Sequence, residues 1–119
     1  MGERKRYEGS CHCGKITYEA TADLGEVLEC NCSICGRKGA LMAFVPAESF
    51  ALKSGEGATT DYQFGKKALH HLFCSTCGIH AYAQGTGRDG KPMFMLNVRC
   101  LAGVDPWSLG VRRIDGKSR

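Results

Sequence analysis

Short apolar stretches broken by glycine and charge run along the chain, and their spacing predicts strands rather than helices. Lys15 to Ala20 partly alternates between polar and apolar residues, the period of a half-buried strand. Ala40-Leu41-Met42-Ala43-Phe44-Val45 is a continuous apolar run stopped by Pro46, and predicts a buried strand. Phe50-Ala51-Leu52-Lys53 predicts another, ended by Ser54-Gly55-Glu56-Gly57. Thr59 to Phe64 is rich in β-branched and aromatic residues, with Gly65-Lys66-Lys67 placed to form a hairpin turn after it. Ala68 to Phe73 and Ile79 to Ala83 flank a turn at Cys74–Gly78, and Met93 to Arg99 is the strongest strand pattern beyond it. Thr86 to Pro92 is a loop by composition. No segment sustains a 3.6-residue apolar period with caps, so helix is expected to be scarce and to fall, if anywhere, near Pro106-Trp107-Ser108-Leu109.

The expected fold class is therefore mainly β, with short strands and one modest core in a single domain over residues 1–119. No linker, repeat or second composition regime interrupts it. Phe73, Phe94 and Trp107 are expected in the core, and the tail Asp115-Gly116-Lys117-Ser118-Arg119 has little to bury and is expected to fray. Sixteen glycines against three prolines fit many tight turns.

Eight cysteines in 119 residues change the picture. Four disulfides would need an oxidising compartment. The start carries Arg4-Lys5-Arg6 but no apolar stretch after them, which is not a signal peptide. Arg6 stands where a myristoylation signal needs Ser or Thr, and the weakly polar run from Gly39 to Ala47 is too short to span a bilayer. A cytoplasmic location is expected, where clustered thiols bind metal.

Cys30-Asn31-Cys32-Ser33-Ile34-Cys35 packs three thiols into one loop, enough for three corners of a zinc tetrahedron. The fourth corner is either left open, as in catalytic zinc, or closed from elsewhere by Cys100 or a histidine. Cys11-His12-Cys13 precedes a strand-like run, and residues i and i+2 of an extended segment share a face. Cys74-Ser75-Thr76-Cys77-Gly78 is a CxxC turn closed by glycine, as in a zinc knuckle. Cys11, Cys13, Cys74 and Cys77 together make a tetrathiolate. A rival grouping joins Cys11 and Cys13 to Cys30 and Cys32 and strands Cys35. The histidines are not expected to bind zinc: His12 should face away from its neighbours, His70 and His71 diverge on a strand, and His80 is a neighbour of the site or a core residue. Cys100 completes the second site, lies near it, or is a small buried hydrophobe. The formal charge of +4 points toward nucleic acid, but thiolate-bound zinc brings it to about +1.

Gly9-Ser10-Cys11-His12-Cys13-Gly14, the Cys30–Cys35 triplet, Phe73-Cys74-Ser75-Thr76-Cys77-Gly78 and Asn97-Val98-Arg99-Cys100-Leu101 occur in that order. Together they resemble the glutathione-dependent formaldehyde-activating enzyme family, which also contains the centromere protein V type, from about Tyr7 to Asp115. The resemblance implies a small tent-like β fold and two zinc ions per chain. Cys11, Cys13, Cys74 and Cys77 would hold a structural ion, and Cys30, Cys32 and Cys35 a catalytic one. It also implies a reversible carbon–sulfur lyase-type reaction joining glutathione to formaldehyde as S-hydroxymethylglutathione. The partners would be a small-molecule thiol and aldehyde, with no membrane and no nucleic acid. Glutathione carries two carboxylates, for which Arg37, Lys38 and Arg99 are candidate partners, Arg99 above all. The competing class is a non-catalytic zinc-binding module contacting protein or nucleic acid. The basic clusters Arg4-Lys5-Arg6, Lys66-Lys67 and Arg112-Arg113 speak for it, and their scatter and the lack of a recognition helix speak against it.

Overall fold

A computed structural model describes residues 4–65, 69–87 and 89–118, and the chain is mainly β. Ten strands run in the order β1 (Arg4–Ser10), β2 (Thr17–Asp23), β3 (Val27–Cys30), β4 (Met42–Pro46), β5 (Phe50–Ser54), β6 (Thr59–Tyr62), β7 (His70–Cys74), β8 (Tyr82–Thr86), β9 (Pro92–Asn97) and β10 (Val111–Ile114). A one-turn helix, α1 (Cys35–Lys38), follows β3. Strands β1-β2-β5 form a three-stranded sheet, and β10-β3-β4-β9-β8-β7-β6 a seven-stranded one. All pairings are antiparallel except β10 with β3. The hairpin turn expected at Gly65-Lys66-Lys67 lies outside the described residues beyond Gly65, as does Arg88 of the expected loop.

The apolar runs become strands within three residues of their expected bounds. Three further strands carry no pattern of their own. β1 is charged at its start and β10 is Val-Arg-Arg-Ile, both at sheet edges where solvent, not a core, faces the side chains. β3 has only four residues, and its pairing with β10 joins segments more than 80 positions apart.

The core lies between the sheets. Ile16, Tyr18, Val27, Cys74, Leu96 and Val98 are fully buried. Phe50 stacks on Phe94 at 4.0 Å between centroids, and Tyr18 meets both Phe50 and Tyr82 at 5.0 and 5.7 Å. The Tyr18 hydroxyl donates to the Ala81 carbonyl at 2.9 Å, so its one polar atom is satisfied in the core. Gly9 pairs with Tyr18 across β1 and β2, and a Cβ there would collide with the Tyr18 ring. Phe94 thus joins the core and Phe73 lies half-buried against His80 at 5.2 Å. Trp107 does not: it is 88% exposed, on a 3-10 turn (Pro106–Ser108) whose first N–H groups are capped by Asp105. That turn is where helix was expected.

The expected fraying of the tail is also corrected. Gly116–Ser118 forms a 3-10 turn held onto the cysteine triplet loop. Asn31 donates to Asp115 Oδ1 at 3.0 Å and accepts from the Lys117 N–H at 2.9 Å, while the Asn31 N–H donates to the Ile114 carbonyl. The parallel β10–β3 ladder delivers this segment to the loop.

Candidate metal centres

Cys11, Cys13, Cys74 and Cys77 bring their sulfurs within 4.8 Å of one another, although 61 residues separate Cys13 from Cys74. Cys11 to Cys13 is 3.7 Å and Cys13 to Cys74 is 3.6 Å between sulfurs. A zinc tetrahedron with Zn–S of about 2.3 Å has edges of about 3.8 Å, so these four thiols fit the ion. The expectation that Cys11 and Cys13 share a strand face is corrected: residues 11–14 form a turn, closed by Cys11 N–H on the Ile16 carbonyl at 3.1 Å. A turn wraps both sulfurs round one point where a strand would only line them up. The second half is a knuckle. Gly78 N–H donates to the Cys74 carbonyl at 2.8 Å, with Gly78 at φ 79°, a conformation that glycine adopts without strain. The Thr76 and Cys77 N–H groups point at the Cys74 sulfur, each at 3.4 Å. Backbone N–H groups of Cys13 and Ile79 hold the Cys77 thiol down to about 6, which favours the thiolate a metal needs.

Cys30, Cys32 and Cys35 form the second cluster, again with sulfurs within 4.8 Å. Cys30 ends β3 and Cys35 opens α1, so a strand end and a helix start fix two of the three ligands. The loop is closed by Gly36 N–H on the Cys32 carbonyl and Lys38 N–H on the Ile34 carbonyl, both 2.8 Å. Burial works to raise the Cys32 thiol, but the N–H groups of Cys35 and Ile34 and the neighbouring thiols outweigh it and bring it below the usual range. Burial, with Cys32 beside it, pushes Cys35 up to about 12. Among the described residues no fourth Cys, His, Asp or Glu joins these three. Cys100 does not lie here. It sits beside Cys11 and Cys77, and burial, with the charges of those two thiols, pushes its thiol up to about 11.

Gly116 presses on this loop from the tail. A Cβ at Gly116 would stand 2.5 Å from the Cys30 sulfur, closer than real contacts allow, and 3.3 Å from Cys32 Cβ, a tight contact. Gly116→Ala should therefore displace a ligand without touching the core. The expected result is a triplet metal lost at about tenfold lower chelator concentration, with a melting temperature within a few degrees of wild type; equal chelator resistance would show that the loop yields.

Two hollows meet at the triplet. One, of about 420 Å³, has a polar wall from Glu29, Asn31, Arg113 and Asp115, with Arg113 donating to Glu29 at 3.2 Å. The other, of about 220 Å³, is lined by Met42, Phe44, Leu69, Met93, Met95 and Ile114, together with His71 and the three cysteines. Arg99 is exposed on a 3-10 turn (Val98–Cys100) and lines a third groove, about 750 Å³, with Cys11, His12, Cys100 and Lys38. The triplet sulfurs do not line that groove. Lys38 links the two regions, since it shares the groove with Arg99 and exerts its charge on Cys35, Cys32 and His71. Arg37 points back to the Ser33 carbonyl at 2.8 Å. His70 pairs with Asp61 at 2.6 Å, and burial and Lys38 push His80 down to about 4. Neither His70 nor His80 belongs to a cysteine cluster. His71, which strand alternation only sent away from His70, is 5% exposed at the 220 Å³ hollow. No sequence pattern marks it.

The fold and these clusters define a mainly β protein with two cysteine sites able to bind zinc. Residues 6–108 match the model of the glutathione-dependent formaldehyde-activating enzyme family, and the chain belongs to that family. It is also similar to a Rhodobacter sphaeroides protein of known crystal structure, with 32% identity and a TM-score of 0.79 over 90% of this chain and 99% of that one. Among the described residues no helix is long and apolar enough to cross a membrane.

Proposed function

We propose that this chain is a zinc-dependent enzyme of the carbon–sulfur lyase type, acting on a thiol adduct of a small aldehyde such as S-hydroxymethylglutathione. The observation that carries the reading is the contrast between the clusters. Four thiols close enough to share one ion suit a closed, structural site, whereas three thiols with no fourth ligand among the described residues open onto two hollows. Zinc held by three thiolates supplies a position that lowers the pKa of an incoming thiol or polarises an aldehyde oxygen. In the lyase direction the adduct hydroxyl gives up its proton, its oxygen electrons form the carbonyl, and the carbon–sulfur pair leaves on sulfur. Cys30, Cys32 and Cys35 hold the ion for this chemistry. Lys38, half-buried near Cys35, offsets the negative charge that three thiolates gather. Two ions per chain and a reducing, cytoplasmic setting belong to the same proposal.

Arg99 is proposed to meet a substrate carboxylate at the groove it shares with Lys38. Thiols add to formaldehyde without help, so the informative measurement is the exchange rate between thiol, aldehyde and adduct above the buffer rate. Zinc-loaded protein should accelerate exchange. Arg99→Ala should raise KM for glutathione about tenfold with kcat little changed, the signature of binding lost equally from ground and transition states. An unchanged KM would return Arg99 to the solvated surface; exchange at the buffer rate for every thiol and aldehyde would leave the non-catalytic zinc-binding module.

A further inference from the structure

The 220 Å³ hollow beside the triplet is built by strand register. Phe44 pairs with Met95, Met95 with Ala83, and Ala83 with His71, forming one row across β4, β9, β8 and β7. Met42, Met93, Gly85 and Leu69 lie two positions away along the chain, and side chains of equal parity share a face. These residues all line the hollow, which is therefore one face of the seven-stranded sheet. The opposite parity supplies Val45, Leu96 and Tyr82 to the core. The three thiols, Ile114 and Gln84 complete the chamber.

Its walls suit carbon. No lysine, arginine or carboxylate is among the described residues lining it, so a charged glutathione terminus placed there would lose water without gaining a partner. Its size also exceeds what formaldehyde needs. An apolar cavity of about 150 Å³ accommodates benzene, and one water occupies about 30 Å³ in the liquid. One carbon and one oxygen would leave most of 220 Å³ unfilled beside Met42, Met93 and Met95, side chains whose flexibility suits varied apolar shapes. The polar hollow on the other side of Cys30 and Cys35 offers the opposite chemistry.

Two polar residues, His71 and Gln84, stand in the wall, and neither opens nitrogen or oxygen surface into the chamber. His71 Nδ1 is buried and has no hydrogen-bond partner among the described residues, while its ring stacks on Phe64 at 5.5 Å.

We propose that this chamber binds the carbon skeleton of an aldehyde larger than formaldehyde, an aliphatic chain of several carbons or a single aromatic ring. The inference rests on the proposed carbon–sulfur chemistry and narrows its substrate: the thiol portion lies toward the polar hollow and the aldehyde substituent in the chamber.

Three of the four methionines line the chamber, the other being Met1. Methyl-labelled methionine therefore gives a binding readout independent of turnover. Zinc-loaded full-length protein would be mixed with glutathione and formaldehyde, butanal, hexanal or benzaldehyde, with exchange rates corrected for buffer. The Met42, Met93 and Met95 methyl signals should shift with hexanal or benzaldehyde adducts, and Met1 should not. The rate constant kcat/KM should rise about fourfold per added methylene until the chamber is full. Ala83→Met, which fills the chamber, should reduce hexanal exchange at least tenfold more than it reduces formaldehyde exchange. Because Ala83 is buried, Phe44→Ala at the half-exposed rim provides a second variant that keeps the fold, and should shift preference toward bulkier aldehydes. Catalysis indifferent to chain length, with methionine methyls unmoved, would overturn this inference and leave the proposed function standing. Exchange at the buffer rate with all adducts would overturn both.

Discussion

Cys74→Ser is expected to leave the chain mostly unfolded or insoluble at room temperature. Cys74 has no exposed surface, ends β7, and accepts two backbone N–H groups at its sulfur. Its cluster ties the turn at Cys11–Cys13 to the knuckle after β7, bridging 61 positions of chain and both sheets. Zinc binding to a structural site contributes about 10–16 kcal/mol in small zinc domains, against a net stability of about 5–15 kcal/mol for ordinary ones. Removing one of four ligands therefore removes a quantity comparable to the whole margin. Circular dichroism and thermal melting of wild type and Cys74→Ser provide the check, with Cys77→Ser expected to behave alike. A melting temperature within a few degrees of wild type would mean that the four thiols are not a structural zinc site.

Cys32→Ser should separate the second cluster from the first. Its sulfur is half-buried in a loop that contributes nothing to the core, and that loop is also closed by the Gly36 N–H on the Cys32 carbonyl and the Lys38 N–H on the Ile34 carbonyl. The expected variant is folded, binds one zinc ion where wild type binds two, and exchanges thiol adducts at the buffer rate, a fall of at least a hundredfold. Elemental analysis gives the ratio and the exchange assay the loss. A Cys32→Ser protein as unfolded as Cys74→Ser would make the triplet structural; wild type with a single tightly bound ion would remove the two-ion scheme.

The sequence was most legible where residues near in the chain act together. Cys30, Cys32 and Cys35 lie in one loop, so spacing alone gathers them, and the CxxC knuckle needs only five residues and a glycine. Strands were legible where one or both faces are apolar. The run 40–45 signalled a buried strand and 93–99 a strand, but neither showed that one face lines a chamber beside thiols rather than a core. β1 and β10 were illegible because their side chains face solvent at sheet edges, where pairing comes from the backbone and leaves no pattern. Trp107 was misplaced because aromatic character measures the gain from burial, not whether the chain supplies a cover.

By itself the sequence determined the class: thiol groups at metal spacing in a small chain of short strands, with the motif order of its family. Ligand chemistry and local turns are set within a few residues, and such constraints survive any arrangement of the rest. Tertiary structure alone decided that the tail clasps the triplet loop through Asn31, that Cys100 belongs beside the first cluster, and that His71 shares a wall with three methionines. Each depends on register between strands far apart in the chain, where a slip of one residue turns every side chain to the other face.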